Sequence, residues 1–138
     1  MDLHPLPAFT DNYLWTLASD GQALVVDPGD AAVVEAWLAA SGLRLALILV
    51  THHHPDHTGG LAALRQRHAV RVFGPDEGIA GIDHLVCDDE RLDLGPFGEA
   101  RVLAVPGHTL GHVAYHLPAA ELLFCGDTLF SAGCGRLF

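Results

Sequence analysis

Residues 12–18 alternate in polarity and place Tyr13, Trp15 and Leu17 on one face, a period of two that predicts a half-buried strand. Asp20-Gly21 reads as a hairpin turn. Residues 23–26 form the return strand, which Asp27-Pro28-Gly29 stops because proline cannot continue a ladder and glycine permits a sharp turn. Asp30 then stands where a helix needs an N-cap. Val33, Val34, Trp37 and Leu38 recur at helical spacing over residues 31–40, and Ser41-Gly42 closes that helix. Residues 45–50 are an uninterrupted apolar run, as expected of a strand covered on both faces. Gly59-Gly60 leads into a short helix over 61–68, followed by a buried strand over 70–73 that ends before Gly74-Pro75. Four further strands are predicted at 91–94, 100–105, 112–117 and 122–125, separated by glycine and proline. This order, with no repeat or linker-like stretch, predicts one α/β unit with a mixed sheet or two sheets.

Composition narrows the function. With 138 residues, half of them apolar and 17% charged, the chain can build a core and is too apolar for a disordered tail. Seven basic against seventeen acidic residues give a formal charge of −10, which disfavours nucleic acid as a partner. No apolar run approaches the ~20 residues needed to cross a bilayer, so no membrane role is expected. The first residues lack a basic segment leading into an apolar stretch, so no secretory signal is visible and a cytoplasmic location is expected. Cys87, Cys125 and Cys134 are odd in number and form no CxxC, which argues against both a disulfide framework and a thiolate zinc site.

Ten histidines change the picture, because His52, His53, His54 and His57 fall within six residues, directly after the apolar run 45–50. In an extended segment His52 and His54 point the same way and His53 the other, so the first two can share one ion. Asp56 and His57 follow Pro55, which bends the chain, and can address a second ion. A catalytic zinc usually takes three protein ligands and keeps one position for water, so further ligands are expected from other loops. Two segments supply them. His108, flanked by glycine after a strand, completes a three-histidine set, and Asp127, in Gly126-Asp127-Thr128, can bridge both ions. Asp56 and Asp127 are the expected catalytic carboxylates. Asp27, at the end of its strand, either orients a ligand imidazole or only shapes its turn. His53 and His112 read as loop-fixing groups, and His4, His68, His84 and His116 as ordinary surface or strand histidines.

The His52-x-His54-x-Asp56-His57 pattern with His108 and Asp127 resembles the metallo-β-lactamase superfamily. More narrowly, the segments 7–13, 51–57, 106–112 and 126–130, with Ala132-Gly133-Cys134-Gly135-Arg136, resemble the glyoxalase II (hydroxyacylglutathione hydrolase) family across essentially the whole chain. The resemblance implies a metallo-β-lactamase-like αββα sandwich, with residues 1–138 as its catalytic domain. It implies two zinc ions, iron or manganese being accepted by the same ligands: His52, His54 and His108 on the first, Asp56 and His57 on the second, Asp127 between them. It places Arg136 and Phe138 against a glutathione substrate, although a phenyl ring lacks the hydroxyl that some members present there. The family continues beyond Phe138 with one more histidine ligand and a helical C-terminal region. These are expected to be absent, so the chain reads as truncated after Gly-Cys-Gly-Arg.

Zinc lowers the pKa of a bound water to about 7, and two ions roughly 3.5–4 Å apart can hold the resulting hydroxide between them. The expected reaction is hydrolysis of an S-2-hydroxyacylglutathione such as S-lactoylglutathione, giving glutathione and a 2-hydroxy acid. No GxSxG elbow offers a serine nucleophile instead. Three alternatives remain open at this point: a persulfide dioxygenase with a single non-haem iron, another hydrolase of the fold (lactonase or β-lactamase), and a metal-stabilised fragment that binds partners without turnover. Leu137 and Phe138 after Gly-Cys-Gly-Arg stand where the dioxygenase family has Thr and Asp, which favours the thioesterase.

Overall fold

The computed structural model describes residues 1–8, 12–105 and 111–125. Six strands form a first sheet in chain order: β1 (Asp2–Ala8), β2 (Asn12–Ser19), β3 (Gln22–Val26), β4 (Arg44–Leu49), β5 (Arg71–Gly74) and β6 (His84–Leu85). β1 to β3 make an antiparallel meander, and β3 to β6 run parallel. The turn between β2 and β3 is Asp20-Gly21, both at positive φ (53° and 74°), as a two-residue turn matched to strand twist requires.

Parallel neighbours need crossovers. Helix α1 (Ala31–Ser41) joins β3 to β4, while α2 (Pro55–Thr58) and α3 (Leu61–Arg67) join β4 to β5. The expected caps of α1 are present: the Asp30 carboxylate accepts from the Ala32 N–H at 3.0 Å, and Gly42, at φ 72°, donates its N–H to the Leu38 carbonyl. The second sheet is antiparallel, in the order β10-β9-β8-β7, from β7 (Arg91–Asp93), β8 (Glu99–Ala104), β9 (Val113–Leu117) and β10 (Leu122–Phe124).

The first sheet is buried on both faces by alternation along its strands. Ala23, Val25, Ile48 and Val72 face Val34 and Leu38 of α1 and Leu61 and Leu64 of α3. Leu24, Val26, Leu49 and Phe73 face Val102, Tyr115, Leu117 and Phe124 of the second sheet. Each fully buried leucine, isoleucine or phenylalanine contributes about 1.5–3 kcal/mol. The pairing of β3 with β4 shifts between Ala23 and Leu24, leaving Ala46 as an extra residue. This bulge explains why Leu45 and Ile48, three apart, both face the helices.

The structure departs from the sequence expectation in β2, which is not half-buried. Leu14 packs on the helix side and Leu17 between the sheets, both nearly fully enclosed. Two strands lie outside that expectation altogether. β1 contains Pro5 and Pro7, tolerated because it is an edge strand whose outer side needs no donors, and β6 has only two residues. Among the described residues no helix covers the outer face of the second sheet, where Ala114 and Cys125 pack with Leu103, Val105 and Leu123. No described helix is long and apolar enough to cross a membrane.

Candidate metal centre

The side chains of interest leave the C-terminal ends of adjacent parallel strands, where ligands collect in α/β folds. Asp27 follows β3, residues 51–57 follow β4, and Glu77 lies in the loop after β5. The ladder continues into these loops: the Asp27 N–H donates to Leu49 O at 2.9 Å and the Val50 N–H to Phe73 O at 2.8 Å. From the second sheet, the Val113 N–H donates to Thr51 O at 3.0 Å, and the buried Tyr115 hydroxyl donates to Val50 O at 2.7 Å. Burial, with the nearby charge of Asp27 adding to it, pushes the Tyr115 hydroxyl well above its ordinary range, which keeps it a donor. The base of the histidine loop is thus gripped from three strands.

Asp27 is buried and sits at positive φ (51°). Its Oδ1 accepts from the Thr51 N–H at 2.7 Å, and its Oδ2 accepts from Thr51 Oγ1 at 2.7 Å and from His57 Nδ1 at 3.0 Å. Because the Thr51 hydroxyl spends its proton on Asp27, it accepts from His52 Nδ1, 2.8 Å away. The network therefore assigns the Nδ1–H tautomer to both His52 and His57, so that each ring would bind a cation through Nε2. One carboxylate sets two imidazoles. Asp27 both shapes its turn and orients rings, so the two readings of it hold together.

The rings gather accordingly. His52, fully buried, lies with its centroid 4.2 Å from that of His57 and 5.0 Å from that of His54. His57 Nε2 is 3.4 Å from Asp56 Oδ2, and the Asp56 side chain is about half exposed. One potential ligand atom from each of Asp27, His52 and His57 falls within 4.8 Å of the others. With three hydrogen bonds on its two oxygens, Asp27 serves the rings that surround it. Such a concentration of imidazole and carboxylate suits a divalent cation.

Pro55 does more than bend the chain. It opens the one-turn helix α2 at its first position, with His54 as the preceding cap residue and His57 in the turn. Gly59 and Gly60 dock α2 against the Asp27 turn: the Gly60 N–H donates to Pro28 O at 2.8 Å, and a Cβ on Gly60 would meet Ala31 N at 2.6 Å and Pro28 O at 2.7 Å. Only glycine permits this approach.

The alternation expectation fails in part: the His53 ring lies edge-on to that of His54 with centroids 4.9 Å apart, while its Nδ1 lies 3.1 Å from Glu77 Oε1. His112 is buried, stacks on His52 with centroids 4.5 Å apart, and donates from Nε2 to Cys125 O at 3.0 Å, so it fixes a loop as expected. His68 and His84 pair with Glu35 and Glu90, each at 2.5 Å, away from the site. His108, Asp127, Arg136 and Phe138 lie outside the described residues. Sequence reasoning missed Glu77 and Tyr115. Nothing in residues 74–78 marks Glu77 for burial, and Tyr115 falls within the strand expected at 112–117.

A model of the metallo-beta-lactamase superfamily matches residues 9–81 and 85–137. The chain belongs to that superfamily. Metallo-beta-lactamase architecture and the His/Asp cluster together imply divalent metal binding. The chain is 57% identical, over 137 residues, to the hydroxyacylglutathione hydrolase of Halorhodospira halophila, a match that takes in 97% of this chain and 53% of that protein. It spans about half the length of the curated relatives it matches. Among solved structures, the BLEG-1 B3 metallo-beta-lactamase superposes with a TM-score of 0.84 at 28% identity, covering 98% of this chain and 76% of that one. TTHA1623, solved in a di-iron-bound form, follows with a TM-score of 0.76 at 25% identity, covering 96% of this chain and 76% of its own.

Proposed function

We propose that residues 1–138 carry the metal-binding part of a hydroxyacylglutathione hydrolase, cleaving S-2-hydroxyacylglutathione thioesters to glutathione and a 2-hydroxy acid. The observation that carries this reading is the Asp27 carboxylate holding His52, through Thr51, and His57 in the tautomer a cation needs, in a chain 57% identical to an enzyme of that name. In this reading His52, His54 and His108 would hold a first zinc and Asp56 and His57 a second, with Asp127 available to both. A bound zinc would supply a water-derived nucleophile at neutral pH and polarise the thioester carbonyl.

The chain's own residues do the rest. Asp27 and Thr51 keep two rings oriented before any substrate arrives, so little reorganisation accompanies the reaction. Asp56, half exposed beside His57, borders solvent where the acyl group can enter. Arg136 would supply a local positive charge for the anionic glutathione backbone within a chain of net charge −10. Phe138 offers an apolar contact. Glutathione is a reductant of the cytosol, so this substrate fits a cytoplasmic location.

The likeness to a B3 metallo-beta-lactamase favours a second reading, lactam ring opening. Metal analysis combined with thiol release from S-lactoylglutathione separates the two. Two ions with thiol release support the thioesterase; lactam opening without thiol release replaces it, and one iron with oxygen uptake would replace both. His54→Ala abolishes metal-dependent hydrolysis, while His68→Ala, at the Glu35 contact, leaves it nearly intact; equal effects would show the ligands to be misassigned.

A further inference from the structure

Glu77 belongs to none of the ligand positions, yet its side chain is only 6% exposed, between the exposed Asp76 and Gly78. Burying a carboxylate is costly unless donors surround it. Three of the donors are on two different loops. Oε1 accepts from the His53 N–H at 3.0 Å and from His53 Nδ1 at 3.1 Å, and Oε2 accepts from the Gly111 N–H at 2.8 Å. A Cβ at Gly111 would lie 2.6 Å from Glu77 Cγ, so the backbone there approaches as closely as the missing side chain permits.

We propose that Glu77 is a positioning residue that clamps the segment of His52 and His54 to the chain at Gly111. The proposal rests on reading those histidines as metal ligands. His53 sits between His52 and His54 in the chain, so its amide fixes the pitch of the segment that presents both rings. Gly111 is three residues after His108. Each carboxylate oxygen takes one loop, and the charge strengthens each bond. Gln cannot replace it: with one carbonyl oxygen and one NH2, whichever way the amide turns, a donor faces the N–H of His53 or of Gly111.

Glu77→Gln therefore weakens cobalt(II) binding 10- to 100-fold in chelator competition, the range seen when groups supporting metal ligands are removed, and alters the visible d–d spectrum of the cobalt protein. Gly111→Ala, which leaves the carboxylate but drives a methyl into its stem, shifts affinity in the same direction and serves if Glu77→Gln does not fold. Glu35→Gln, which removes a carboxylate holding His68 and Arg67 on the helices, leaves affinity within twofold. Cobalt affinity and spectrum unchanged in Glu77→Gln would overturn the clamp, as would an equal loss in Glu35→Gln. If the unaltered protein binds no cobalt, the metal-centre reading falls and the clamp with it. If it binds cobalt but releases no thiol, only the substrate reading falls, and the comparison of variants still decides the clamp.

Discussion

Replacing Asp27 with Asn keeps the shape of the side chain and removes its charge and one of its two acceptor oxygens. The hydrogen-bond geometry dictates the outcome. If the amide oxygen takes the place of Oδ1 and keeps the Thr51 N–H, the NH2 faces both the Thr51 hydroxyl and His57 Nδ1. The hydroxyl must then accept and pass its own proton to His52 Nδ1, and His57 must likewise become an acceptor at Nδ1. Both rings are driven to the tautomer with a proton on Nε2, the nitrogen a cation would need. If the amide is turned over instead, its NH2 opposes the Thr51 N–H. Hydrogen bonds to a charged group are worth about 1.5–3 kcal/mol each, so losing one outright costs the metal-free fold about that much. Metal affinity falls 10- to 100-fold, equivalent to roughly 1.4–2.8 kcal/mol at 1.4 kcal/mol per decade. Urea denaturation of the metal-free protein reads the first effect and zinc competition with a chromophoric chelator the second. Unchanged zinc affinity in a folded Asp27→Asn protein would refute the tautomer argument.

Gly60→Ala forces a methyl against Ala31 N and Pro28 O, both backbone, and should destabilise the protein by at least 1–3 kcal/mol, the usual scale of overpacking; thermal melting reads this. Tyr115→Phe leaves the Val50 carbonyl without that donor in a dry setting and costs about 1–3 kcal/mol in denaturant titration, with little change in shape. Acid sensitivity has a defined sign. The His68 contact holds the Glu35 carboxyl below its ordinary range, and the Arg65 guanidinium does the same for Asp83. Their stabilisation is present above the unfolded pKa values, about 4.3 and 3.9, and is lost as pH falls through the lower folded values. Glu35→Gln should accordingly flatten the fall of stability below about pH 4, and an identical acid limb in the two proteins would count against that contact.

The parts of this fold that follow from periodicity were readable from the chain alone. The caps at Asp30 and Gly42 and the apolar strand before His52 depend on local geometry, whereas simple alternation did not hold for His53, whose ring meets that of His54. What was not readable depends on contacts between distant segments. Nothing near Glu77 in sequence reveals that Gly111 closes over it, because the partner arrives from a strand connection 34 residues away. The role of Asp27 was equally undecidable before its register beside Leu49 brought it to Thr51. β1 escaped notice because its prolines contradict strand propensity, and only its edge position removes the conflict.

The two apolar layers flank the first sheet, and the histidines and acids of the centre stand at its strand ends, reached from those layers by the Tyr115 hydroxyl. Framework and chemistry are therefore separable parts of this molecule. A lineage can exchange imidazoles, carboxylates or entrance loops at the strand ends while the oily layers beneath go on dictating where those ends stand. Such independence lets a single scaffold be retuned for new substrates by small edits at its rim.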